Sequence, residues 1–508
     1  MCDRAKPGCE RCQKAGLECA GYSADSFVLV VPTRKAGKGN NKVKFTQTRS
    51  NYKESSNRNN DQTESGGGGG GGAKNGEEGL QLSPKPSINV APENRMQVLS
   101  YFIERYQPAS MTSRRGFVTP SSWIRSLPSL LGRWEILDTA LSAVCLAYIG
   151  DLHQDGVHLH ESQRFYNDVL RKLGSLPLDS IKSANEGVLT TTMTMAMYEL
   201  FHCSYNGLQG WMFHVQGACR ILELRGPPSK ESPLDLSLYS RVRITALWDA
   251  YGSRKGLFLA RREWQNLSDS PHDTLLDLLV CMPGLLETSD TIKSTANQPG
   301  RVFNTARVDD LLGHWQVLFG RLLRWYTNFE NREAAGLYEC GPLQQDSHPY
   351  LEADQSHLYS VFPQIISFKD AYVAQIMLLY WFGQLVIHAA MTEIYMIREK
   401  HQARLFAGAF PPDYKGVHQA SKESVQKAGD YYATKICQST ASLKGGYGFQ
   451  MVMVPLWAAL QFFALCGDPK FDWSQAVFRN FGKLGGFMLA EPLRVMRPTQ
   501  YPGIAAER

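Results

Sequence analysis

The sequence predicts an all-α fold for most of its length. Three observations carry that expectation. From about residue 95 onward apolar residues recur at three- and four-residue spacing. Alternating apolar and polar runs of strand type are scarce. The clearest apolar stripe, Trp211, Val215, Ala218 and Leu222, is followed at once by Gly226-Pro227-Pro228, a left-handed cap and a block to further helix. With 508 residues, 43% apolar and 20% charged, the chain has room for a large core and several domains.

The first twenty-two residues are of another kind. Cys2, Cys9, Cys12 and Cys19 follow the spacing C-x6-C-x2-C-x6-C, and these are four of eleven cysteines. No long apolar run lies between them, so a core cannot hold the stretch together. Two thiolates two residues apart suit one tetrahedral zinc. A disulfide framework is the rival, and no apolar leader follows Met1 to suggest secretion. Zinc is therefore the expected staple.

Residues 23–92 read as a disordered linker. Between positions 31 and 53 stand Arg34, Lys35, Lys38, Lys42, Lys44, Arg49 and Lys53, with no acidic residue. Gly, Asn, Ser and Thr fill most of the remainder, too little apolar surface to offset the ordering entropy. Residues 66–72 are seven consecutive glycines, a tether and not a phosphate loop, because no Gly-Lys-Ser/Thr follows. Charge is uneven along the chain. Residues 1–60 carry +7 of a total of +6, so the remainder sums to −1. A basic arm on a near-neutral body suits contact with a polyanion, or a nuclear import signal, as well as a solvated spacer.

Residues 93–508 form the expected helical domain. Val98, Leu99, Phe102, Ile103 and Tyr106 open it at helical spacing. Further helices are expected over 136–149, 161–173, 186–201, 210–224, 309–326, 368–400, 424–442 and 451–466. No repeat of solenoid length is evident. Two stretches, 371–392 and 447–467, are long and apolar enough for a membrane check. Gln375, Gln384 and His388 interrupt the first, and Pro455 and Gln461 the second, so both are read as buried core helices and no membrane is expected.

Other constellations are weaker. His153, His158, His160 and Glu161 crowd one stretch, but Gly156 argues for a surface turn instead of a metal-binding helix face. His202 with Cys203, and His214 with Cys219, lack any visible oxyanion-donor loop. The cysteines beyond residue 19 are expected to be small buried apolar residues. Arg225 sits where a cation favours a helix carboxyl end, or where it could contact an effector or another helix. No G-x-S-x-G, H-E-x-x-H or strand-borne G-x-G-x-x-G occurs, and the chain is not expected to be an enzyme.

The run CDRAKPGCERCQKAGLECAGY resembles the second part of the fungal binuclear zinc cluster, in which six cysteines hold two zinc ions and bind DNA. Cys2 matches the third family cysteine, Cys9 the bridging fourth, and Cys12 and Cys19 the fifth and sixth; Pro7 matches the loop proline. The first two cysteines and their basic helix, which enters the major groove in that family, have no counterpart in this sequence. Either coding sequence upstream of Met1 completes the cluster, or the protein is a shortened form. The resemblance implies a partial zinc-cluster module over 1–22, with DNA contacts from Arg4, Lys6, Arg11 and Lys14 and, from the arm, Arg34, Lys35, Lys38, Lys42 and Lys44. As it stands, such a head should bind DNA weakly, with little sequence preference and strong salt dependence.

The helical body, roughly 95–500, resembles the regulatory region that follows the cluster in many fungal transcription factors. Tyr198-Glu199-Leu200-Phe201, the run from Gly210-Trp211 to Gly217-Ala218, and Leu224-Arg225-Gly226-Pro227 carry that likeness; Pro455-Leu456-Trp457 fits it more loosely. It implies a nuclear regulator of RNA polymerase II transcription, often a homodimer answering to an effector or to the transcription machinery. The alternative is a helical effector-binding protein that has lost specific DNA binding and works through protein partners.

Overall fold

The computed structural model describes residues 92–107, 119–177, 186–202, 208–296, 305–333, 336–343, 348–405, 412–443, 445–485 and 487–495. Almost all of them belong to one unit, Met96–Arg508. The predicted head, 1–22, and the predicted linker, 23–92, lie outside the described residues, except Pro92, which opens the first helix.

The described part is all-α apart from one small sheet. Fifteen α-helices follow in order among these residues. The first six are α1 (Pro92–Tyr106), α2 (Ser122–Leu130), α3 (Glu135–Leu152), α4 (Gly156–Gly174), α5 (Glu186–Phe201) and α6 (Gln209–Arg225). Then come α7 (Pro233–Ser253), α8 (Pro271–Leu279), α9 (Met282–Ala296) and α10 (Thr305–Arg332). After strands β1 (Tyr338–Pro342) and β2 (Gln364–Phe368) the chain ends in α11 (Ala371–Leu405), α12 (Pro412–Ser439), α13 (Gly445–Cys466), α14 (Lys470–Gly485) and α15 (Ala490–Val495).

Local chemistry sets several of these boundaries. Ser232 and Ser270 each precede a proline at the first helical position, and each hydroxyl accepts the backbone N–H of an aspartate three residues on, at 3.1 Å. Asp155 accepts from the N–H groups of Val157 and His158 and so starts α4 at Gly156. The expected surface turn therefore shrinks to His153 and Gln154, and His158, His160 and Glu161 are helical, because a capped N-terminus tolerates glycine at its first position. Gly226, at φ +92°, ends α6 as predicted.

The helix expected over 368–400 begins later. Phe368 closes β2, where it pairs with Tyr338 in an antiparallel register running to Pro342 opposite Gln364. Asp370 then caps α11 by accepting from Val373 N at 2.8 Å. The short strand was hidden because its apolar residues merge with the helix that follows.

The core lies around α11 and α13. Both are long and apolar enough to cross a membrane, yet 94% and 78% of their apolar windows are buried inside the protein. That burial is what core helices require. α11 packs against α10, α12 and α13. It approaches α8 closely because Gly383 lacks a side chain: a Cβ there would lie 2.5 Å from Leu279 Cδ2.

α7 was not predicted. It is buried on nearly every side, polar residues included: Ser237, Ser240, Arg241, Arg243 and Thr245 are all less than a tenth exposed. Such a helix shows no apolar stripe. Its polar groups reach neighbouring elements instead. Ser237 Oγ donates to Thr119 O at 2.6 Å and accepts from Trp123 N at 2.8 Å. Arg243 is paired with Asp273 and Asp277 of α8.

Candidate functional site

One face of α7 lines a cavity of about 220 Å³. Arg241, Thr245, Trp248, Asp249 and Gly252 lie on that face, at the spacing that stacks side chains one turn apart. α6 supplies Trp211 and Met212, and α13 supplies Gln450, Met453, Val454 and Trp457. Leu200, Leu489 and Leu493 complete the apolar wall. The three tryptophans are each less than a tenth exposed. Trp457 meets the Tyr251 ring edge-on at 5.4 Å, and Trp248 meets Phe382 edge-on at 5.0 Å, so two walls are fixed from behind.

Two charged residues interrupt this apolar lining. Arg241 is 8% exposed, and its Nε has no hydrogen-bond partner. Its charge is felt by Tyr106 and Tyr447, both raised by burial and partly drawn back by the guanidinium. Asp249 stands two turns further on. Gln216 Nε2 donates to its Oδ2 at 3.3 Å, while Oδ1 is buried without a partner. Burial raises its carboxyl above the ordinary range, against the opposing pull of Gln216. Gln450 accepts a hydrogen bond from Tyr106 through Oε1. This arrangement can hold a small, mostly apolar molecule with a polar end; among the described residues of the lining no nucleophile and base are in contact.

Behind α5 and α6 lies a buried polar cluster. The Tyr166 hydroxyl hydrogen-bonds Glu199 and lies 2.9 Å from Nε2 of His214. Tyr198 stacks on Tyr166 with centroids 4.3 Å apart. Burial pushes His214 down to about 4, so its ring is neutral near pH 7. Glu199 is fully buried, and a Cβ at Gly210 would come 2.5 Å from its carboxylate carbon. Gly210 thus lets α6 pass over a carboxylate. The cluster joins α4, α5 and α6, and the last two carry the cavity wall.

Of the residues singled out in the sequence, Cys2, Cys9, Cys12, Cys19, Arg4, Lys6, Arg11, Lys14, Arg34, Lys35, Lys38, Lys42 and Lys44 lie outside the described residues. Trp211, Val215, Ala218 and Leu222 are buried as one stripe. Arg225 pairs with Asp235 on α7, which makes it an interhelical tie more than a cap. His158 pairs through Nδ1 with Asp155 Oδ2 at 2.6 Å, and no group of three metal-ligating side chains converges among the described residues. Cys145 and Cys437 are buried as expected, but Cys340 on β1 is exposed, 3.9 Å from Lys435 Nζ, because a two-stranded sheet covers one face only. Arg241 and Asp249 were not singled out, since a helix without an apolar stripe gives no sign of which residues face inward.

Comparison with known proteins gives two matches. Residues 85–322 match the family described as fungal specific transcription factor domain. A stretch of 133 residues, 26% of the chain, is 32% identical to an uncharacterized protein of Emericella nidulans, and the match covers 28% of that protein's length. No solved structure matches. The family match covers the helices that form most of the cavity wall, α5, α6 and α7, and points to regulation of transcription.

Proposed function

We propose that this chain is a zinc-dependent, DNA-binding regulator of RNA polymerase II transcription that acts in the nucleus. The observation that carries the reading is the match of residues 85–322 to the fungal specific transcription factor domain, behind a four-cysteine stretch and a basic arm. In this reading Cys2, Cys9, Cys12 and Cys19 hold zinc, and Arg4, Lys6, Arg11 and Lys14 contact DNA. Arg34, Lys35, Lys38, Lys42 and Lys44 add phosphate contacts that carry no sequence information. The helical body sets the activity of the head, by pairing with a second copy or by answering to an effector. The matched family is described as a fungal specific transcription factor domain, which supports a regulatory and not a catalytic role.

The test is chromatin immunoprecipitation of the tagged full chain in its host cells, with transcript profiling of a deletion strain. Nuclear signal and occupancy at promoters whose transcripts change support the reading. Cytoplasmic signal with no promoter occupancy overturns it. That outcome favours the second reading, an effector-binding protein acting through partners, which the cavity beside Arg241 supports.

A further inference from the structure

Packing does not explain Arg241. The guanidinium lines the cavity, is 8% exposed, and is reached by no ion pair or hydrogen bond among the described residues. Two positions on, Arg243 is buried as deeply and is matched by Asp273 and Asp277. Arginine cannot shed its charge, and a buried unpaired charge is strongly unfavourable. The cavity around it is apolar and aromatic. An apolar void of about 150 Å³ accepts benzene, so one of about 220 Å³ takes roughly nine or ten non-hydrogen atoms. Asp249 lies about 12 Å along the helix axis from Arg241, given the rise of an α-helix. It repels a second anionic group at that end, and its partnerless Oδ1 can accept a hydrogen bond.

We infer that this cavity binds a small amphipathic monocarboxylate. Its carboxylate pairs with Arg241, its apolar body lies between Trp211 and Trp457, and a neutral or hydrogen-bond-donating end points toward Asp249. A phosphate ester fits less well, because one guanidinium is the only cation among the described residues of the lining. The inference concerns binding alone and holds whether or not the chain acts on promoters.

The test is calorimetric titration of the purified full chain with straight-chain carboxylates from hexanoate to dodecanoate, below their micellar range. The matching alcohols and amines are titrated in parallel. One carboxylate of intermediate length should saturate a single site roughly ten- to a hundredfold more tightly than its alcohol, the range for a hydrogen bond to a charged group. Arg241→Met should abolish that preference and melt no lower than wild type, since it removes an unpaired charge. Arg241→Lys should restore part of the preference. Val454→Phe, which fills the cavity from α13, should weaken every ligand that binds. Absence of saturation at millimolar carboxylate, equal affinity for acid and alcohol, tighter binding of the amine, or an acid preference that survives Arg241→Met would each overturn the inference. Should Arg241→Met fail to fold, the wild-type comparison of acid with alcohol and the Val454→Phe variant still decide.

Discussion

Arg254 Nη2 lies 3.1 Å from Glu393 Oε2, although 139 positions separate the two residues. Arg254 ends α7 in the left-handed region, at φ +53°, which turns its side chain back into the protein. Its Nε donates to Asp290 at 2.8 Å, and Lys293 reaches the same Glu393 oxygen. One carboxylate on α11 therefore gathers the end of α7 and the face of α9. Glu393→Gln would leave two buried cations short of a counter-charge. Breaking such a cluster costs about 3–5 kcal/mol. Urea unfolding should show the midpoint falling with an unchanged slope; an unshifted midpoint would mean the cluster is energetically idle.

Two glycines on α6 should respond to alanine with opposite sign. A Cβ at Gly210 would sit 2.6 Å from both carboxylate oxygens of Glu199, a fully buried side chain hydrogen-bonded by Tyr166. A Cβ at Gly217 would meet only Thr192 Cγ2, at 3.7 Å, an ordinary contact. Gly210→Ala should cost about 1–3 kcal/mol by overpacking. Gly217→Ala should gain about 0.5–1 kcal/mol, because glycine is the poorer helix former. Thermal melts of both variants check this, and equal shifts would mean that Glu199 moves aside freely.

Acid should weaken the fold before the carboxylates titrate. Burial pushes both His214 and His348 down to about 4. Unfolded, each has its ordinary value near 6.5. Between those limits the unfolded chain binds more protons, so stability is full above about pH 6.5 and falls as the pH drops toward 4. Each histidine contributes at most about 3 kcal/mol across that window. Asp249, whose carboxyl burial raises, opposes the trend at the acid end. Urea midpoints from pH 7 to pH 5 should decline, and His348→Phe should flatten the slope. A midpoint independent of pH would show that neither ring is kept neutral by the fold.

The sequence makes some of this architecture legible and hides the rest for physical reasons. α5 was read to its observed ends, 186–201, and α6 to within one residue at each end, the latter because its apolar stripe runs out at Gly226, which has positive φ. α2, α7, α8, α9, α14 and α15 were not read. For α7 the cause is plain: a helix buried all round with paired polar groups has no amphipathic period. Trp211 was legible as part of a stripe, and so was one wall of the cavity. Arg241 was not, because an unmatched guanidinium and a matched one such as Arg243 look alike until α8 is placed beside them.

Loss of a thiolate should empty the head of metal. Cys9 and Cys12 are separated by two residues, the spacing with which one loop offers two sulfurs to a single ion, and little apolar sequence surrounds them. In such a module metal binding supplies the free energy of folding, so one lost ligand removes both the metal and the fold of that stretch. Cys9→Ser and Cys12→Ser in the full chain should each lower the zinc content measured by atomic absorption. The helical body has its own core, so the circular dichroism of the helices should stay unchanged. The same variants should weaken DNA binding. The binding that survives should come from the basic arm, with a steep loss of affinity as salt rises and no preference among sequences. Unchanged zinc in both variants would show that these sulfurs are not ligands.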